Sequence, residues 1–252
     1  MNTSLSSSLS ALRALEAQQG VTANNLANLR TPGFKSRRVE LQEGVDGQVD
    51  VNSRPVNPET GMSAQTGFPL DFAIQGAGYF AVDMGNGTQA LTRDGSFRVS
   101  PEGSVVTVSG RPVVGFPPVP PGSTGVSVSP TGAGSFRTPE GDINFQLPLA
   151  QVPNPQGLEN LGGNLLGITP ASGAPQFGNP SSGGLGPIAR GSLELSNVDP
   201  VKEMVSLLEV KGAYSASLKA IQTADEMAGE VNNLIRSAGG GRKPGSYGKH
   251  GS

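Results

Sequence analysis

Few residues in this 252-residue chain could carry out chemistry. It has no cysteine, which excludes thiolate metal sites, cysteine nucleophiles and disulfide scaffolds. Its one histidine, His250, lies in a Gly-rich tail, which argues against a His-based triad or metal site. Gly76-Ala77-Gly78 looks superficially like a phosphate loop. The dinucleotide fingerprint, however, needs a third glycine where Ala81 stands, and a helix where the pattern predicts a strand. A glycine-rich β-turn explains Gly76 and Gly78 better. Asn86-Gly87-Thr88 matches a glycosylation acceptor but is better explained as the turn of a hairpin. Asp and Glu are scattered, and no pair stands out as general acid and base. The expectation is a protein that is not an enzyme and has no cofactor or metal.

The most informative stretch runs from Ala23 to Lys35, Ala-Asn-Asn-Leu-Ala-Asn-Leu-Arg-Thr-Pro-Gly-Phe-Lys. Asn24, Asn25 and Asn28 are poor choices for a helix interior. Asn side chains bond locally to backbone and to neighbouring chains. The cluster therefore predicts a junction that sets where one helix stops and the next element starts. Thr31-Pro32-Gly33-Phe34 supplies the stop, because proline and glycine both end helices.

Proline placement shows which elements hold that junction. The chain has 37 glycines and 21 prolines, and all prolines but Pro244 fall between Pro32 and Pro200. Proline costs about 3 kcal/mol inside a helix. Only residues 1–31 and 201–243 are therefore free to be helical. In the first flank Met1, Leu5, Ser8, Leu12, Leu15, Gln19, Thr22, Leu26 and Leu29 step by fours and threes, the heptad spacing. In the second, Asp199-Pro200 reads as an N-cap followed by proline at the first helical position. Leu207, Val210, Tyr214, Ser217, Ile221, Ala224, Ala228, Val231 and Ile235 then keep the same step. Val201, Met204, Leu208 and Leu218 are expected to broaden that apolar face. A helix from Pro200 to Ile235 is about 54 Å long and needs a partner to cover it.

The middle predicts short strands: 72–74, 79–82, 90–92, 96–99 and 104–108. Asn86-Gly87, Asp94-Gly95, Glu102-Gly103 and Ser109-Gly110 are the turn signals among the later ones. Val126 and Val128, then Ile143, Phe145, Leu147 and Leu149, alternate like strands with one buried face. Residues 153–190, rich in Gly, Pro, Asn and Ser, are expected to be loops over the β domain. The fold expected is α+β. N- and C-terminal helices (1–31 and 199–236) pair into a coiled-coil-like domain enclosing a β-rich middle at 32–198, one domain or two, and 239–252 form a flexible tail. A net charge of −2 argues against nucleic-acid or anionic-membrane partners. No run approaches a membrane span, and MNTSLSSSLS has neither a basic n-region nor a continuous apolar h-region. No cleaved secretory signal is expected.

The stretch from Asn24 to Lys35 resembles the N-terminal signature of the axial proteins that build the bacterial flagellar rod and hook. Pro69 to Phe80, followed by Leu91-Thr92-Arg93-Asp94-Gly95-Ser96-Phe97, resembles a second segment of that family. Gly191-Ser192-Leu193-Glu194-Leu195-Ser196-Asn197-Val198-Asp199 resembles the opening of its C-terminal helix. Gly163-Asn164-Leu165-Leu166 and Thr169 to Pro175 look most like the distal-rod branch, with proximal-rod or hook-type branches as alternatives. A β-rich adhesin module on a helical stalk is the alternative from another class. There are departures: residues 41–66 are shorter than in typical distal-rod members, and Lys211-Gly212-Ala213-Tyr214 stands where an Arg-Ala-Tyr sequence is usual.

The resemblance implies a structural subunit that polymerises helically and transmits motor torque. Its implied partners are copies of itself, neighbouring rod and hook proteins, the type III export apparatus and surrounding ring proteins. It implies a place in the basal-body rod crossing the periplasm, reached without a cleaved signal. The residues implicated in assembly are Asn24, Asn25, Leu26, Asn28, Thr31, Pro32, Gly33, Phe34, Gly76, Gly78, Ser196, Asn197, Val198, Asp199, Leu207, Val210, Tyr214, Ile221, Val231 and Ile235.

Overall fold

The computed structural model describes residues 2–43, 49–55, 60–85 and 87–239. Most of the tail expected at 239–252 therefore lies outside the described residues. The chain opens with helix α1 (Asn2–Ala27) and closes with helix α2 (Pro200–Gly239). Between them run strands β1 (Arg37–Glu43), β2 (Val49–Pro55), β3 (Ser63–Gln65), β4 (Phe72–Ile74), β5 (Phe80–Gly85), β6 (Thr88–Thr92), β7 (Arg98–Val99) and β8 (Val105–Val106). Then come β9 (Gly125–Val128), β10 (Ala133–Thr138), β11 (Gly141–Gln146), β12 (Leu149–Gln151), β13 (Glu159–Gly162), β14 (Leu165–Gly167), β15 (Gln176–Gly178), β16 (Ile188–Arg190) and β17 (Ser192–Glu194).

The strands form small antiparallel sheets. The largest, of four strands, has the order β13-β14-β6-β5, and β9, β10 and β11 make a three-stranded meander. Short strands fit a sequence in which proline and glycine interrupt every apolar run. Several of the sheets share a main core, in which Phe72, Ile74, Phe80, Phe97, Val126, Phe136, Leu149 and Ile188 belong to a single buried cluster, and two smaller clusters around Leu91 and Leu165 serve the four-stranded sheet. Phe97 is the aromatic centre of the main core, with its ring 5.2 Å from Phe80, edge-on, and 6.1 Å from both Phe72 and Phe116. Such contacts add to the burial of each ring.

Several expectations need correction. Residues 153–190 are not loops: they hold β13 to β16, and β14 pairs with β6 inside the four-stranded sheet. Their strands are three or four residues long, too short to show a period. The alternation from Ile143 to Leu149 is two strands, not one buried face. Ile143 is exposed on the outer strand β11, while Leu147 and Leu149 are buried. Helix α1 stops at Ala27 rather than at residue 31, and turns occupy residues 28–33. Helix α2 runs to Gly239, past the expected end at 236, and is uninterrupted at Gly212.

Helix α1 rests against both α2 and the β1–β2 hairpin. Leu12, Ala14, Thr22 and Asn25 of α1 are buried, Asn25 against Glu203 of α2, and Val210 is buried on the same side of α2 as Glu203. Val201, Met204 and Leu208 do not broaden this face. They are exposed, on the other side of the helix.

Removing the central ring should be the costliest truncation in the β domain. Phe97→Ala is expected to lower stability by about 3–5 kcal/mol, as for other large core rings. The exposed Phe177→Ala should stay within about 0.5 kcal/mol. Urea unfolding followed by circular dichroism checks both.

Candidate assembly joint

Where α1 ends and α2 begins, three segments far apart in sequence meet around one buried carboxylate. Glu194, the last residue of β17, is 1% exposed. Its Oε1 lies 2.5 Å from Lys35 Nζ and accepts the Gly61 N–H at 2.8 Å. Its Oε2 lies 2.9 Å from Arg93 Nε. Arg93 is 4% exposed, donates through Nη1 to the Gly78 carbonyl at 2.6 Å, and sits 5.7 Å above the Tyr79 ring. Burial raises the Tyr79 pKa above its ordinary value, and the charge of Arg93 opposes that rise. Lys35 follows the proline-glycine stop, Arg93 follows β6, and Glu194 leads into α2. Each belongs to a different family-like segment.

The backbone carries a second layer of the joint. Gly33 donates to the Glu194 carbonyl at 2.8 Å, and Asn197 donates to the Phe34 carbonyl at 3.3 Å. Asn197 Oδ1 accepts the Ser36 N–H at 2.7 Å. Gly33 has φ of 67°, and a Cβ there would stand 2.6 Å from the Arg93 carbonyl carbon. Only glycine fits that approach. Gly95 is needed for a similar reason, since a Cβ there would fall 1.8 Å from the Phe72 carbonyl oxygen. Its turn is held by Asp94, whose Oδ1 accepts the Ser96 N–H at 3.0 Å. From the opposite side Asn164 donates to the Pro32 carbonyl at 3.0 Å.

Asn25 fixes the helices to this layer. Its Nδ2 donates to the Arg37 carbonyl and to Glu203 Oε1, each at 2.9 Å, and its Oδ1 accepts the Arg37 N–H at 3.0 Å. One buried amide thus ties α1 to β1 and to α2. Asn28 caps locally, donating to the Asn24 carbonyl at 2.9 Å and accepting from Thr31 Oγ1 at 3.0 Å. The Asn24 side chain is exposed. Leu26 is half-buried, and Phe34 and Val198 are buried. Ser196 Oγ accepts the Val198 N–H at 3.3 Å. Asp199 caps α2, its Oδ1 accepting from Val201 at 3.0 Å and Lys202 at 3.3 Å. Those backbone bonds are the main reason its pKa falls below the ordinary aspartate value.

The structure brings together Asn25, Asn28, Thr31 to Phe34, Gly78 and Ser196 to Asp199. Gly76 lies outside the joint, turning with φ of 133° against Gly186. Leu207, Tyr214 and Ile221 are half-buried on the α1 side of α2, whereas Val231 and Ile235 are exposed. Sequence reasoning missed Lys35, Arg37, Arg93, Glu194 and Glu203. The available signal was opposite charges inside the family-like segments of a chain that is only 15% charged. Among the described residues no group of three His, Cys, Asp or Glu could hold a metal.

Removing the central charge should be severe. Glu194→Gln keeps the shape but leaves Arg93 buried without its counter-charge, and is expected to cost about 3–5 kcal/mol in urea unfolding. The exposed Glu102→Gln should change stability by less than about 0.5 kcal/mol. A second expectation concerns pH. Because the folded pKa of Asp199 is depressed, its stabilisation is present above the unfolded pKa and fades as pH falls through the folded one. The Val201 and Lys202 amides should lose hydrogen-exchange protection in that acid window. Asp199→Asn, which caps without titrating, should abolish the pH dependence.

The comparisons with known proteins cover the same segments. Residues 5–35 match the family described as flagella basal body rod protein, and residues 73–135 the flagellar hook protein FlgE/F/G D1 domain. Residues 189–234 match the flagellar basal body rod FlgEFG protein C-terminal family. The flagellar basal-body rod protein FlgG of Buchnera aphidicola subsp. Baizongia pistaciae is 34% identical over 87% of this chain and 96% of its own. FlgG of Agrobacterium fabrum is 33% identical over 90% and 98%. FlgF of Mesorhizobium japonicum, also named a flagellar basal-body rod protein, is 32% identical over 93% and 98%. With a joint built from all three matched segments and identity running nearly end to end, the chain belongs to the flagellar basal-body rod protein family.

Proposed function

We propose that this chain is a structural axial subunit of the bacterial flagellar rod, in its distal segment, and transmits torque by forming a helical polymer. The observation that carries this is the end-to-end similarity to relatives named FlgG, together with the buried joint linking its matched segments. The helical ends, residues 1–31 and 199–236, form the inner domain lining the axial tube, paired in coiled-coil fashion. The β-rich middle, 32–198, forms the next shell outward. The joint holds the two at a set angle. Asn24, exposed beside the joint, and the end of the α2 stripe at Val231 and Ile235, exposed in the single chain, make contacts between subunits.

The partners in this reading are copies of the same chain, the adjoining rod and hook proteins, the surrounding rings and the type III export apparatus. The chain leaves the cell interior through that apparatus without a cleaved signal and takes its place in the part of the rod that crosses the periplasm. Mechanical work of this kind calls for no catalytic residue. Heterologous contacts that do not close into a ring suit it instead.

Cells lacking the chain should stop at a short rod without a hook, and the chain supplied in trans should restore both. Complete rods in its absence would refute the assignment. Charging that end of the stripe with Ile235→Asp would bury a carboxylate at many identical contacts. It should reduce the number of rods seen by electron microscopy at least tenfold, while Ile235→Leu leaves the number unchanged.

A further inference from the structure

Helix α2 is apolar on two opposite sides where it leaves the joint. Val210 is buried on the side of α1, and at about 100° per residue Val201, Met204, Val205 and Leu208 fall on the far side. Each of those four is between 50% and 69% exposed. A second uncovered group lies near the other end of the helix. Met227, Val231, Leu234 and Ile235 are between 48% and 67% exposed. Helix α1 has 26 residues and α2 has 40, so this end of α2 extends past the length that α1 can cover.

The charges beside the two groups differ in sign. Glu226 and Glu230, both exposed, lie along one side of the far group. Lys202 and Lys211, also exposed, stand on either side of the near group, with Glu209 on the Lys202 side. The groups are about 40 Å apart along one helix, so they cannot meet within one chain. A contact joining them needs two copies, and because it uses different surfaces on each and shifts the next copy along the helix, it repeats instead of closing into a ring.

We infer that the far end of α2 in one copy docks on the outward face of the start of α2 in the next. Met227, Val231, Leu234 and Ile235 cover Val201, Met204, Val205 and Leu208, and Glu226 and Glu230 face Lys202, whose Nζ also lies 3.6 Å from Asp199 Oδ2. Copies joined in this way are offset by about 40 Å along α2. The inference rests on the proposed rod-subunit function and adds which surfaces meet and in what register.

The chain has no native cysteine, which makes the contact testable by cross-linking. Rods are purified from swimming cells whose only copy carries Leu208→Cys and Leu234→Cys, then mildly oxidised. More than half of the chain should run as a ladder of covalent species larger than a dimer, and each single variant should remain monomeric. No ladder, or dimers from a single variant, would overturn the contact and leave the rod function standing. Absence of the chain from the rods would overturn both. Charge reversal gives an independent measure. Glu226→Lys with Glu230→Lys should shrink swimming rings at least tenfold, and adding Lys202→Glu should restore at least half the diameter. A threefold variant as immotile as the double one would overturn the contact.

Discussion

The fold depends on one carboxylate that has almost no access to water. Glu194 sits where the last strand hands over to α2, and both of its oxygens meet cations from elsewhere in the chain. Taking such a group out of water is expensive unless its partners are placed well. Lys35 and Arg93 are placed well only when the turn after α1 and the turn after β6 both lie against β17. The cost of misplacing either makes the arrangement selective. A hydrophobic contact at this point would tolerate a shifted angle, whereas a buried carboxylate with a cation at each oxygen does so only at the cost of a stranded charge.

This division of labour separates the joint from the core. The β domain is held together by a cluster of Phe, Leu, Ile and Val side chains around Phe97. The joint contains little of that and works through directional bonds: Asn25 to Arg37 and Glu203, Asn197 to Ser36, Asn164 to Pro32. Apolar burial supplies the stability of the domain, and polar geometry sets its attitude to the helices. Phe97 belongs to the core, while Asp94, three residues before it, shapes the turn beside Arg93.

The helices were legible in the sequence because proline is so costly inside them that its absence marks them out. Their caps were legible too, since Asp199 before Pro200 has a local meaning that tertiary contacts did not override. Strands β4 to β6 could be read from apolar residues bounded by turns. Strands β13 to β16 could not, because three residues give no period and their pairing with distant partners such as β6 leaves no local mark. In the joint, the asparagine cluster announced a junction, but nothing local distinguished Asn25, buried and bonded to three groups, from Asn24, which is exposed. Glu194 and Arg93 are just over a hundred positions apart, so their meeting was invisible without the fold. The two sides of α2 were blurred for another reason: helical spacing marks apolar residues but does not say which neighbour covers them.

The chain enters and leaves the β domain through the same narrow place. The segment at Gly33 and Phe34 and the segment at Glu194 and Asn197 lie side by side, bonded to each other through their backbones. In mechanical terms this is a two-ply strap with cross-ties. A pull or twist passing between helices and β domain runs along both plies together, so the cross-ties are strained in shear and share the load instead of parting one at a time like a zipper. The strap has its ends at α1 and α2, and Arg93 and Asn164 clamp it from within the β domain. The β9–β11 meander, which makes none of the bonds described for the joint, can grow or shrink at its turns while the two plies keep their register.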